Sequence, residues 1–148
     1  MTTAAVVLLS LHLAATAAMT GLIWFVQVVH YPLFAAVGAE QFVAYEVAHQ
    51  RRTSFVVGVP MLVEGLTVLG LFFWPPDGVG RMLPFVGGVL LTLVLASTVF
   101  LQVPAHAALA QSYDAAHVRR LVRTNWVRTI GWSARLVLAV VMLVEAAA

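Results

Sequence analysis

The chain has 148 residues, of which 62% are hydrophobic and 9% charged, with eight arginines against six acidic residues for a formal charge of +2. A water-soluble domain is about 25% charged, so this composition excludes a soluble globule, a disordered chain and a collagen-like repeat, and places the protein in a bilayer. It has no cysteine, which removes thiolate nucleophiles, disulfides and thiolate metal sites.

Four apolar stretches are long enough to cross a hydrocarbon core, which takes roughly 20 helical residues. They run from about Ala4 to Val29, Ser54 to Trp74, Met82 to Val103 and Val127 to Val144. The first is too long, and its flank too uncharged, for a cleaved signal peptide. Tyr31-Pro32 through Gly38 joins the first two helices. Trp74-Pro75-Pro76-Asp77-Gly78 joins the second and third, because paired prolines cannot continue a helix. The third helix is expected to pass a kink at Pro104 and reach about Gln111, and Asp114 to cap the fourth. Amphipathic extensions over Glu40 to Arg52 and Asp114 to Arg123 predict that helices two and four project from the membrane. Helix two, from Ala39 to Trp74, is expected to be on the order of 50 Å long.

The expected fold is therefore all-α: one four-span domain over residues 1–148, an up-down four-helix bundle. Arg51, Arg52, Arg119, Arg120 and Arg123 fall on one side, with Arg128 just inside it and Arg81 alone opposite. The positive-inside rule makes the arginine side cytoplasmic, so both termini are expected outside the cytoplasm and the protein in a bacterial inner membrane.

Arg52-Thr53-Ser54-Phe55 resembles Arg123-Thr124-Asn125-Trp126, and the same register sets Glu64 opposite Arg135. Gln27 to His30 echoes Gln102 to His106 with one extra residue beside Pro104. Two repeated helical hairpins would follow, related by an axis along the membrane normal. In an up-down bundle alternate helices face each other diagonally, which brings His30 toward His106, Gln27 toward Gln102 and Glu64 toward Arg135.

Glu64 and Arg135 lie twelve residues inward from Arg52 and Arg123, roughly 18 Å along their helices. A lone charge at that depth costs about 2.5–3.5 kcal/mol on the insertion scale. The expected solution is an ion pair, which would either fix helix packing or carry protons. Polar residues recur at helical spacing: His12, Thr16, Thr20, Gln27 and His30 on helix one; Tyr45, His49, Thr53 and Glu64 on two; Thr98, Gln102 and His106 on three; His117, Arg120, Thr124, Arg128 and Arg135 on four. Such stripes are expected to face inward around a hydrated or ligand-filled cavity open to the arginine side.

His30, His49, His106 and His117 gather at that side, one per helix. His30 with His106 is the candidate pair for haem or another metal, although neither Glu-x-x-His nor His-x-x-x-His spacing occurs; acid–base work without a cofactor is the other use. Glu46 and Asp114 read as solvated or arginine-paired residues that could assist a metal. Arg119, Arg120, Arg123 and Arg128 either recognise an anionic head group or simply snorkel to lipid phosphates. Trp24, Trp74, Trp126 and Trp132 read as interfacial anchors, with Trp126 and Trp132 also able to wall an aromatic pocket. Gly87-Gly88 is expected to allow close helix contact.

Val103-Pro104-Ala105-His106-Ala107-Ala108-Leu109, with Asn125-Trp126-Val127-Arg128-Thr129 and Trp132-Ser133-Ala134-Arg135, resembles small bacterial four-span membrane proteins of unknown function. It resembles more distantly the anthrone-oxygenase-like membrane family, at Pro104, Leu109, Trp126, Arg128 and Arg135. The resemblance covers mainly the second half. It implies oxidation of an activated polycyclic aromatic by dioxygen without a dedicated cofactor.

The first expectation is thus an oxidoreductase or oxygenase that admits an aromatic or quinone-like substrate from the lipid. His30, His49, His106 and Glu64 are its candidate acid–base groups, Arg128 and Arg135 its oxyanion-stabilising groups, and Gln27, Gln102, Tyr45, Asn125 and Trp126 its substrate contacts. The second is a non-enzymatic transporter, lipid binder or accessory subunit in which Glu64 and Arg135 form a structural latch. A homo-oligomer fits either; nucleic acid as a partner is disfavoured because the arginines are few and interfacial.

Overall fold

A computed structural model describes all residues from Met1 to Ala148. The chain is entirely helical and contains four apolar helical stretches long enough to cross a membrane: Thr3–Ala36, Ala39–Phe73, Met82–Leu109 and Ala115–Ala147. Five α-helices make them up. They are α1 (Thr3–Phe25), α2 (Ala39–Phe73), α3 (Met82–Ser97), α4 (Val103–Leu109) and α5 (Ala115–Ala147). α1 and α3 each pack against both α2 and α5.

Two of these stretches are interrupted by a π turn, and the sequence explains where. Val26–His30 follows α1, and Thr98–Gln102 separates α3 from α4. Each ends two residues before a proline, Pro32 or Pro104. A proline ring collides with the carbonyl four residues back and has no N–H to offer it. Widening the preceding turn moves that carbonyl aside: Tyr31 N–H donates to Val26 O and Val103 N–H to Thr98 O, each spanning five residues. The expected kink at Pro104 is therefore a π turn just ahead of it, and α4 ends at Leu109 rather than near Gln111. After the first π turn a 3-10 segment, Pro32–Ala36, brings the buried Phe34 back against the bundle.

α2 runs unbroken through Pro60. α5 begins at the expected cap, with Asp114 Oδ1 accepting from Ala116 N–H at 2.7 Å. That bond, with the adjacent His117 ring, holds the Asp114 carboxyl below its ordinary range. The turn between α2 and α3 uses Gly78 at φ 84°, a conformation that other residues adopt only with strain.

Burial is inverted relative to a soluble bundle. Phe55, Leu62, Leu66, Ile130 and Val137 face outward, while His12, Gln27, Glu64, Asn125 and Arg135 are buried. Met19, Ile23, Phe34, Phe42, Leu121 and Trp132 anchor the main apolar core, and Leu9, Leu71, Val79 and Met142 form a smaller one at the end near the termini. Trp132 is fully buried beneath the Arg135 guanidinium, 5.5 Å from its ring, so it is a core residue rather than an interfacial anchor. Trp74 is 75% exposed, as an anchor requires.

Gly87 meets neighbouring helices as expected, with Val68 Cγ2 and Arg135 Nη1 each 3.7 Å from where its Cβ would be, but the tightest such contact of a helical glycine is at Gly131 on α5. A Cβ on Gly131 would sit 2.4 Å from Val94 Cγ2, whereas one on Gly88 would meet nothing within 4 Å. Gly131→Ala is expected to destabilise the fold by about 1–3 kcal/mol through overpacking, because a helical valine has one strongly preferred rotamer. Unfolding of the purified protein in detergent checks this. Val94→Ala added to Gly131→Ala should recover most of the loss.

Candidate functional site

The π turns set the phase of the inward-facing residues at the arginine-rich end. One extra residue in a turn advances the following side chains by about 100° relative to a continuous α-helix. Stripes extrapolated from above the turn therefore miss their expected partners below it. Gln27 and Gln102 do not meet: Gln27 Nε2 donates to Val122 O (3.2 Å), and Gln27 Oε1 accepts from Asn125 Nδ2 (3.0 Å) and Thr129 Oγ1 (3.3 Å). Gln102 Nε2 donates to Thr124 Oγ1 (2.9 Å). Both glutamines tie their helices to α5.

His30 and His106 do not pair directly either. His30 Nε2 and His49 Nδ1 are 2.9 Å apart, and Thr53 Oγ1 lies 3.1 Å from the same His49 nitrogen. Both contacts are satisfied when His30 Nε2–H and the Thr53 hydroxyl donate to an unprotonated His49 Nδ1. His30 Nδ1 then keeps a free lone pair. The His49 and His106 ring centres are 5.3 Å apart, so His49 stands between the two residues expected to pair.

His106 belongs to a second, linear arrangement. Its Nδ1 lies 2.6 Å from Glu46 Oε1 and its Nε2 lies 2.8 Å from the Tyr31 hydroxyl. Gln50 Nε2 bridges Glu46 Oε1 and His106 O, each at 3.0 Å. Glu46 is fully buried, contrary to the expected solvated or arginine-paired carboxylate. A carboxylate that holds an imidazole by Nδ1–H leaves Nε2 as a base aimed at a hydroxyl, the arrangement used to activate hydroxyl nucleophiles. Sequence spacing missed Tyr31 because it sits past the π turn, where the α-helical stripe no longer applies.

His117 stands apart from the other three histidines, its ring bonded to Asp114 Oδ2 at 2.7 Å on the half-exposed start of α5. No group of three or more histidine, aspartate or glutamate side chains is arranged to hold a metal ion. The nitrogens of His106 are engaged by Glu46 and Tyr31, and the facing nitrogens of His30 and His49 by each other. This arrangement does not fit the expected His30–His106 haem bracket.

Two cavities flank the histidines. One, of about 340 Å³, opens between α1 and α2; Phe25, Val26 and Val56 give it apolar walls, and His30, His49 and Tyr45 bring polar groups into it. The other, of about 180 Å³, lies between α2, the α3–α4 junction and α5, and is lined mainly by residues with polar groups, among them Tyr31, Gln102, His106 and Arg128. His49 and Thr53 border both. Asn125 is fully buried between Gln27 and Arg128 and borders neither, and Trp126 faces outward, edge-on to Trp24 at 5.7 Å. The expected substrate contact of Tyr45 lies on the apolar cavity and that of Gln102 on the polar one; Gln27, Asn125 and Trp126 line neither.

Glu64 and Arg135 form a separate buried centre. Arg135 Nη2 donates to Glu64 Oε2 and Nη1 to Gly87 O, and the Thr16 hydroxyl donates to Glu64 Oε1. His12 Nδ1 lies 2.9 Å from Thr67 Oγ1 and 3.4 Å from Glu64 Oε2. Neither charged residue reaches the two cavities that border the histidines.

No protein-family model, curated protein or solved structure matches the chain.

Proposed function

We propose that the protein is a membrane-embedded acid–base enzyme of the oxygenase class, taking a weakly acidic aromatic or quinone-like molecule from the bilayer into the cavity between α1 and α2. The observation that carries this reading is an apolar cavity ending on a histidine pair whose outer member, His30, has a free Nδ1. Weak resemblance to anthrone-oxygenase-like proteins supports the substrate class.

His30 Nδ1 takes a proton from the acidic C–H of the substrate, and His49 accepts a hydrogen bond from the resulting imidazolium through His30 Nε2–H. Arg52, at the same cavity, stabilises the negative charge left on the substrate. The carbanion then adds dioxygen, the peroxide anion takes back the proton held by His30, and the hydroperoxide loses water. A methylene becomes a carbonyl, one oxygen atom enters the product and the other leaves as water. Dioxygen is the only oxidant required.

In this reading the helices form an up-down bundle with the arginine-rich end in the cytoplasm and both termini opposite. Two hairpins repeat with an offset of 71 residues, the separation of Glu64 and Arg135. Thr16 and Gly87, which hold the outer sides of those two charges, share that offset, as do the buried pairs Tyr31 with Gln102 and Phe34 with Ala105. The two π turns and the prolines that follow them, Pro32 and Pro104, are instead 72 residues apart, so the 71-residue register does not hold throughout, nor do the Gln27–Gln102 and His30–His106 matches expected from sequence.

Purified protein in lipid nanodiscs, given an anthrone, is expected to consume one dioxygen per substrate above the rate without protein. His30→Phe should lower that rate by about 10²–10⁴-fold, the usual contribution of a positioned base. Saturable binding without oxygen uptake would replace this reading with that of a transporter, lipid binder or accessory subunit.

A further inference from the structure

Arg128 is the one buried arginine without a carboxylate partner. Arg135 pairs with Glu64, whereas no ion pair includes Arg128, which is 8% exposed. Its Nη1 donates to the neutral Asn125 Oδ1 at 3.2 Å, and its buried Nε has no partner. The carboxylate of the histidine cluster, Glu46, bonds through Oε1 to His106 and Gln50, and its buried Oε2 makes no hydrogen bond to Arg128 or any other group. An unpaired buried cation is costly. It could have snorkelled outward as the neighbouring Arg119, Arg120 and Arg123 do, since these are all exposed; instead it turns into the polar cavity.

A second unpartnered group borders the same cavity. The Thr124 hydroxyl donates to Arg120 O at 2.8 Å and can therefore only accept from Gln102. That fixes the Gln102 amide with Nε2 toward Thr124 and leaves Oε1 buried without a donor. Both unpartnered atoms lie just behind the cavity wall, so the cavity suits a ligand that carries negative charge and, once the Gln102 amide turns toward it, can also donate one hydrogen bond. The Tyr31 hydroxyl lies beside Arg128, and Thr53 and Ser54 add two more hydroxyls to the walls. A carboxylate or a chloride supplies the charge but no proton; a phosphate monoester or inorganic phosphate, partly protonated near neutral pH, supplies both. Arg128 lies five residues inward from Arg123, roughly 7 Å along the helix.

From this geometry we infer that the polar cavity between α2, α4 and α5 is a binding site for a phosphate monoester or free phosphate, held by Arg128 with Gln102 as acceptor of its proton. The site is separate from the apolar cavity, and its occupancy does not depend on oxygen chemistry.

Calorimetric titration of the full chain with inorganic phosphate in neutral detergent tests free phosphate. Capture of the protein on phosphatidylcholine vesicles doped with phosphatidic acid, compared with phosphatidylglycerol, tests a lipid source. Saturable binding is expected in at least one arm, with phosphatidic acid preferred over the diester. Loss of the charged contact in Arg128→Gln should weaken it at least about tenfold, while Arg123→Gln leaves it unchanged. Should Arg128→Gln not fold, Gln102→Leu keeps the cation and is expected to erase the preference for phosphatidic acid or to weaken inorganic phosphate. Absence of saturable binding in both arms, or equal affinity in wild type, Arg128→Gln and Gln102→Leu, overturns the assignment.

Discussion

Replacing Arg135 by Leu while Glu64 stays in place is expected to destabilise the protein by about 3–5 kcal/mol, the usual cost of leaving one member of a buried ion pair behind. Glu64 would keep the Thr16 hydroxyl but lose its cation, and Gly87 O would lose its donor. Unfolding of the detergent-solubilised protein measures the loss. Glu64→Met combined with Arg135→Met removes both charges and should recover most of it. Exchanging the charges should not: position 135 faces the Gly87 carbonyl and the Trp132 ring, and both repel a carboxylate. A charge-exchanged protein as stable as wild type would show that the pair is held by mutual attraction alone. Because the pair does not reach the cavities beside the histidines, the Met/Met variant is also expected to retain oxygen uptake. Loss of turnover in a folded Met/Met protein would move Glu64 and Arg135 into the chemistry.

Glu46→Leu is expected to give the second large effect. It leaves His106 Nδ1–H without an acceptor. The imidazole is then free to turn or change tautomer, and its grip on the Tyr31 hydroxyl is lost. The His106 ring lies against His49, the partner of the base His30, so a His106 freed to turn disturbs that pair and uptake should fall by about 10²–10⁴-fold. Glu46→Gln separates orientation from charge, since its amide oxygen can still accept from Nδ1–H; it should retain the tautomer and lose part of the rate. Nitrogen-15 histidine spectra report the tautomer directly. A His106 signal unchanged in Glu46→Leu would rule out positioning by Glu46.

The number of apolar helices was legible because each needs a long hydrophobic run, and composition alone demands a bilayer. The Glu64–Arg135 contact was legible for a similar reason: two lone charges at equal depth have few ways to avoid isolation. The histidine cluster was legible only as a neighbourhood. Pro32 and Pro104 visibly threatened the helices, but nothing in the residues said that each would be met by a π turn ending two positions earlier, and that turn rotates Tyr31, Gln102 and His106 out of the expected phase. Glu46 was missed for a different reason. At the predicted membrane edge an acidic residue ordinarily meets water, and only the fold of Tyr31 and Phe34 over it and the approach of His106 make it a buried partner. Arg128 likewise read as one more interfacial arginine because its neighbours on α5 are.

The central claim is that these helices span a bilayer with their polar faces enclosing a water-reached interior at the arginine end. The absence of cysteine allows a direct measurement: single cysteines placed in the full chain and exposed, in native membranes, to a charged thiol reagent supplied from each side in turn. Thr53→Cys, on the wall shared by both cavities, is expected to react from the arginine side alone, and Leu66→Cys, outward-facing further along α2, from neither. Rapid labelling of Leu66→Cys together with an inert Thr53→Cys would contradict the account.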